Sequence, residues 1–169
     1  HHDLAAPRLL CSPRPVRILS PMSRIHVIAR GIVIQQGHVL LCHKKGMDYV
    51  FLPGGHIEPF ESVAEAVARD MHEEFGGEAV IDRFVTTIEN NYLEKGKNHH
   101  EICIVMAGQL ANVQHPESPV SREPKLEFPW HPVAELESAN LMPSPLVKIV
   151  MSYARGEFPP PFVSHMVGS

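Results

Sequence analysis

Between Pro53 and Gly77 the chain passes from a Pro-Gly-Gly turn into a capped amphipathic helix, and this order constrains what the rest can fold into. Pro53, Gly54 and Gly55 break regular structure and let the backbone approach a ligand closely, so this part is expected to be a loop. Ser62 and Glu65 make a capping-box pair, and Glu61 adds negative charge at the electropositive helix start. Val63, Val67 and Met71 recur every fourth residue as the buried stripe, with Ala64 and Phe75 at its edges. Gly76 and Gly77 stop the helix. Asp70, Glu73 and Glu74, at i, i+3 and i+4, project from one side of its last two turns. Three anions so close repel one another, and a divalent cation reverses the sign of that interaction. Donors that are all oxygen favour a hard ion, Mg2+ or Mn2+, with phosphates completing its shell. The plainer alternative is a solvated acidic helix end. The Gly-Gly turn just upstream weighs against it.

The remaining chain sets limits on function. Its 169 residues suffice for one domain with a sizeable core. A net charge of -4 argues against a strong nucleic-acid surface and leaves room for a small nucleotide. No apolar run approaches the length of a membrane span. Cys11, Cys42 and Cys103 are odd in number and lack a CxxC pair, as expected of buried reduced thiols in a cytoplasmic protein. The domain is expected over 22–158. Residues 1–21 read as a tail outside it: His1-His2 resembles the end of an affinity tag. The Pro- and Arg-rich run that follows reads as an upstream-translated segment or a transit-like leader, expected to be dispensable. Residues 159–169, with three consecutive prolines, are expected to be irregular.

Strands are expected at 24–33 and 38–43 around a Gln35-Gln36-Gly37 turn, and at 49–52. Another is expected at 79–89, ending in a break at Asn90-Asn91, and a buried one at 101–110 after a turn at 95–98. A long loop covers 111–126, and loops of that length beside a site are often functional. A last helix covers 143–154, with Leu146, Ile149, Val150 and Tyr153 on one face.

Gly55, Glu61 and the run Arg69-Asp70-Met71-His72-Glu73-Glu74-Phe75-Gly76 resemble the Nudix box, G-x5-E-x7-R-E-U-x-E-E-x-G-U, where U is a bulky apolar residue. On these residues the chain is identified as a MutT-like member of the Nudix family. Two positions depart: Asp70 stands where the family has Glu, and Gly77 where it has an apolar residue. Trp130 to Leu136 resembles the Trp-x-x-x-x-Glu-Leu segment that closes many Nudix domains. The resemblance implies an α+β fold, a Nudix αβα sandwich with a mixed β-sheet between helices. It also implies a pyrophosphohydrolase, dependent on Mg2+ or Mn2+, that cleaves a nucleoside diphosphate linked to another moiety. That small-molecule partner would be of the nucleotide, nucleotide sugar or ADP-ribose type. The alternative is a catalytically weakened nucleotide-binding or regulatory domain, and the reading allows a homodimer.

By the same resemblance, the Gly54 carbonyl, Asp70, Glu73 and Glu74 would form the metal shell. Arg69 and Glu61 would orient its carboxylates. A further carboxylate from outside the box, Glu123 or Glu127, with Glu101 a third, would complete the site or act as base. His99-His100-Glu101 does not read as a zinc site, because adjacent strand residues point to opposite faces. Lys44, Lys45, Lys95 and Lys97 read as solvated turns, with phosphate contact the alternative. Tyr92, Phe51 and Trp130 are candidates to stack on a base, with core packing the competing reading for Phe51 and Trp130.

Overall fold

The β-branched run at the start of the domain forms β1 (Ile25–Gln35) in the computed structural model, which describes residues 24–167. β1 pairs in parallel with β7 (Lys97–Leu110), and β7 pairs antiparallel with β6 (Ala79–Glu94). On its other side, Gln36 and Gly37 have φ of 47° and 73° and turn the chain into β2 (His38–Leu40). Two residues at positive φ give a hairpin whose twist matches that of the strands. β9 (Trp130–Pro132) joins β2 at one edge, and β10 (Phe162–His165) lies parallel to β6 at the other. The mixed sheet therefore runs β10-β6-β7-β1-β2-β9. A smaller sheet holds β4 (Val50–Phe51), β3 (Cys42–Lys44) and β8 (Leu126–Glu127).

Both faces of the large sheet are covered, which is why its central strands are apolar on both sides. On one face lies α1 (Val63–Phe75). Its Ala66, Val67, Met71 and Phe75 pack with Ala29, Val33, Leu40 and Phe128. On the other lie the 3-10 segment Val133–Ala139 and α2 (Leu146–Ala154), whose Leu136, Leu146, Ile149 and Val150 cover Ile28, Ile32, Ile88 and Val105. Each large aliphatic side chain buried this way contributes roughly 1.5–3 kcal/mol over its exposed state. The result is the expected αβα sandwich. Among the described residues no helix is long and apolar enough to cross a membrane.

The box helix forms as its caps dictate. Ser62 Oγ accepts from the Glu65 amide at 3.2 Å, and Glu65 Oε2 accepts from the Ser62 amide at 2.7 Å. Gly76 ends it at φ 70°, its amide donating to the His72 carbonyl at 2.9 Å and the Gly77 amide to the Met71 carbonyl at 3.0 Å. Gly77 has its own reason to lack a side chain, since a Cβ there would lie 2.5 Å from the Phe75 ring. Phe75 thus occupies the space that an apolar residue at 77 would fill.

Several local expectations are corrected. Gly54 and Gly55 are not a free loop: with His56 they form β5 (Gly54–His56), antiparallel to β1. Gly54 is required there, because a Cβ would lie 2.0 Å from the Ala29 carbonyl oxygen and φ is 137°. The return strand at 38–43 is two strands in different sheets, divided where the Leu41 amide donates to the Pro129 carbonyl. The buried stripe of α1 runs through Ala66 rather than Ala64. β6 continues through Asn90 and Asn91, since each finds a partner: Asn90 bonds Glu101, and Asn91 bonds the Val167 backbone twice. The segment 159–169 contains β10, so it is not wholly irregular. Thr86 Oγ1 and the Thr87 amide hold its prolines by donating to the Pro160 and Pro161 carbonyls. Residues 1–21, Cys11 among them, lie outside the described residues. Among the described residues Cys42 and Cys103 are unbridged and buried, and burial pushes their thiols up to about 11 and about 12.

Candidate active site

Arg69 is the hub of the acidic cluster. Its Nε and Nη2 donate to the two oxygens of Glu61 at 2.9 and 2.7 Å, a fork that fixes both planes. Nη1 donates to Asp70 Oδ1 at 3.1 Å and Glu73 Oε2 at 3.3 Å, and Nη2 also reaches the His56 carbonyl at 3.2 Å. Glu61 further accepts from the Glu58 amide at 2.7 Å. These contacts, the Arg69 pairing foremost, hold its carboxyl down to about 2. Glu61 is therefore a fixed anion that aims Arg69 and takes no part in proton transfer near neutral pH.

The unpaired oxygens lie on the inner side. Asp70 Oδ2 and Glu74 Oε2 are buried and, among the described residues, have no hydrogen-bond partner. Asp70 Oδ2 sits 2.9 Å from where a Gly55 Cβ would be, so the glycine makes room for this carboxylate under β5. Burial first, then the Asp70 charge, pushes the Glu74 carboxyl up to about 7, with Glu123 and Glu73 adding to the rise. Burial also raises Asp70, against the pull of Arg69. Buried carboxylate oxygens with no donor are costly. Hard oxygens of this kind suit a divalent cation such as Mg2+ or Mn2+, but among the described residues no group of three or more acidic, His or Cys side chains is already gathered closely enough to hold one.

The pH dependence has a definite sign. The folded-state value of Glu74 lies above its ordinary 4.5. Its contribution to stability is therefore full below about 4.5 and is lost as pH rises through about 7. Without divalent ions, the melting temperature should drop on the order of 5 °C between pH 5 and pH 8 from this group. His43, also raised, acts in the same sense. The drop removed by Glu74→Gln is consequently the portion that belongs to Glu74, and a thermal-denaturation series on both proteins measures it.

The structure links Glu61, Asp70 and Glu73 through Arg69, with Glu74 beside Asp70 and Glu73 at the exposed rim. The Gly54 carbonyl, expected as a metal ligand, instead accepts from the Arg30 guanidinium at 2.8 Å. Glu123 joins them through a tether that sequence reasoning missed. The Arg122 amide donates to the Glu74 carbonyl, and its guanidinium donates to the His72 carbonyl at 3.2 Å. A cation at the helix C-terminus is stabilised by the exposed carbonyls, and this one carries Glu123 to the side of Glu74. Glu127 goes elsewhere: its Oε1 pairs with His43 Nδ1 at 2.7 Å, while His43 Nε2 meets the Met47 carbonyl at 2.8 Å. Glu101 is also apart from the cluster, across the sheet beside Asn90.

Arg30 was missed as well, although a lone cation inside an apolar strand is a readable signal. It donates to the Leu52 and Gly54 carbonyls at 3.1 and 2.8 Å and lies over the Phe51 ring at 5.2 Å. Its guanidinium so fixes the segment that presents Gly54 and Gly55. A cleft extends from Gly55 over His26, His56, His99 and Tyr92 into a cavity of about 350 Å3. Of the proposed stacking residues, Phe51 and Tyr92 line it, whereas the Trp130 indole donates to the Glu117 carbonyl at 2.9 Å and packs with the α1-side core. Lys44, Lys45, Lys95 and Lys97 are all exposed, but only Lys45 and Lys95 are on turns: Lys44 ends β3 and Lys97 begins β7, which corrects the expected turns at those two. A larger recess of about 910 Å3, between Phe84 and Phe158, shares no lining residue with the carboxylates.

Comparison with known proteins bears on the family and the fold. The family model described as NUDIX domain matches residues 25–151. Among solved structures, a NUDIX hydrolase from Nitrosomonas europaea superposes with a TM-score of 0.61 at 17% identity, covering 80% of this chain and 93% of that one. A UDP-X diphosphatase gives 0.60 at 17% identity over 85% of this chain and 69% of that one. An ADP-ribose pyrophosphatase from Streptococcus suis gives 0.56 at 16% identity over 83% and 99%. At such identities these likenesses speak for the fold.

Proposed function

The chain belongs to the Nudix family, and from that premise we propose that it is a metal-dependent pyrophosphohydrolase acting on a nucleoside diphosphate linked to a further group. The observation that carries this reading is the pair of buried oxygens on Asp70 and Glu74 that have no partner among the described residues, with Gly55 leaving room for the Asp70 carboxylate. Asp70, Glu73 and Glu74 would hold Mg2+ or Mn2+. When bound, such an ion neutralises charge on a diphosphate and polarises its phosphoryl oxygens. The chain's own groups do the rest. Arg69, anchored by Glu61, holds Asp70 and Glu73 in one orientation. Glu123 accepts a proton from the attacking water, whose oxygen bonds to phosphorus. The anhydride P–O bond breaks, and the departing phosphate keeps the bridging oxygen.

The neighbours that bear the names UDP-X diphosphatase and ADP-ribose pyrophosphatase fit the same reaction class. A panel of nucleoside triphosphates, ADP-ribose, nucleotide sugars and dinucleoside polyphosphates, assayed with Mg2+ and Mn2+, tests the reading. Cleavage of at least one compound is expected. Nucleotide binding with no cleavage of any compound would favour the catalytically weakened alternative, which the shortened Asp70 motivates.

The role of Arg69 has its own test. Lysine keeps the charge but cannot span both oxygens of Glu61 while reaching Asp70. Arg69→Lys should therefore lower metal affinity and kcat by about tenfold to a hundredfold, read by Mn2+ calorimetry and by turnover. Unchanged values for both would remove Arg69 from this role.

A further inference from the structure

We propose that Glu101 reads the ribose 2′-hydroxyl of the substrate, so that this protein prefers ribonucleotides to 2′-deoxynucleotides. The inference rests on the reading of the carboxylate cluster as the phosphate end of the site, and it deepens that reading.

Glu101 is 9% exposed, and its recorded partner is the neutral amide of Asn90, whose Nδ2 donates to Oε1 at 3.2 Å. Among the described residues no cation lies within ion-pair distance of it. A carboxylate so placed can still accept hydrogen bonds, and a ligand hydroxyl would reduce the cost of burying it. It faces the right space. Glu101 lines both the cleft beside Gly55 and the cavity beyond, which is walled by Tyr49, Phe51 and Tyr92. Tyr49 and Phe51 meet edge to face at 5.2 Å, and Tyr92 stacks on His99 at 5.1 Å, which gives rigid aromatic walls suited to a base.

The order of these features follows the order of a nucleotide. β5, with Gly55, pairs with β1, and β1 pairs with β7, where Glu101 stands opposite His26. Two interstrand steps and a three-residue offset along β1, from Ala29 opposite Gly55 to His26 opposite Glu101, separate the phosphate end from Glu101 by roughly 14 Å at ordinary sheet spacing. Tyr49 and Phe51 line the deeper cavity and not the cleft, while Tyr92, like Glu101, lines both. A group at the junction between phosphates and base meets the sugar, and a carboxylate there accepts from a hydroxyl.

The test compares matched pairs: ATP with dATP, GTP with dGTP, and ADP-ribose with its 2′-deoxyadenosine analogue. Values of kcat/KM are measured with Mg2+, and Kd by calorimetry with Ca2+. A hydrogen bond to a charged acceptor predicts a preference for the ribo compound on the order of tenfold to a hundredfold. Glu101→Ala should bring the ratio close to one by weakening the ribo compound alone, and Glu101→Gln should give an intermediate ratio. The wild-type ratio needs no variant, so a misfolded Glu101→Ala does not shield the proposal. Equal values within every pair that is bound or cleaved overturn it while leaving the hydrolase reading intact. Ribo-selective binding without cleavage does the reverse. A change in base preference on Glu101→Gln, with ribo and deoxy equal, would place a base edge at this residue and overturn the proposal.

Discussion

Glu74→Gln is expected to abolish divalent-ion binding at millimolar concentration and to cut turnover on the order of a thousandfold. The cause is specific to this position. Glu74 lies deeper than Glu73, and its Oε2 has no donor among the described residues. Its charge is held in place against burial and against Asp70, Glu123 and Glu73, which together push its carboxyl up to about 7. An ion with several charged ligands converts that repulsion into attraction, and an amide at 74 removes one charge and halves the oxygen donors. The same substitution removes a buried charge, so the metal-free protein should melt higher at pH 8 than the wild type. A variant that loses the ion while gaining metal-free stability separates loss of a ligand from simple misfolding. Mn2+ calorimetry and thermal denaturation at two pH values read both effects. Wild-type affinity in Glu74→Gln would remove this residue from the metal shell.

The second large effect concerns the base. Glu123→Gln should lower kcat on the order of a hundredfold, with Mn2+ affinity changed only a few-fold. Glu127→Gln should leave kcat close to wild type, since Glu127 is committed to His43 at 2.7 Å. Asp70 is the competing candidate. It is one methylene shorter than the family's Glu, roughly 1.5 Å less reach, and Arg69 holds its Oδ1. A displacement of about 1 Å at a reacting group can cost on the order of a hundredfold in rate, whereas a hard ion tolerates a bridging water. Asp70 is thus better suited to the ion than to the proton. If Asp70→Asn abolishes turnover while Glu123→Gln does not, the base is Asp70, and a strong gain from Asp70→Glu would identify it as a weakened one.

The box was legible because its information is local. A capping pair, a fourfold apolar period, a glycine stop and three carboxylates on one face are all properties of adjacent residues, and α1 forms as they dictate. What was not legible depends on partners distant in the chain. Asn90 and Asn91 look like a strand break until Glu101 and Val167 supply their hydrogen bonds. Pro159 to Pro161 hide a strand that β6 recruits from beyond them. Gly54 and Gly55 become β5 because β1 offers a free edge below its hairpin. Glu123 and Glu127 are equivalent as letters, and only the Arg122 tether and the His43 pair tell them apart. The cavity beside the box draws on β1, β4, β6 and β7, a conjunction no single stretch announces.

Hydrolysis in 18O-labelled water tests the central claim most directly. With Mg2+ and the compound that the substrate panel identifies, mass spectrometry should find one 18O atom in a phosphate-bearing product. The label should be absent from both products when EDTA replaces the metal. Cleavage that places no label on phosphorus, or labelling that persists unchanged in EDTA, would contradict a metal-dependent attack of water on the diphosphate.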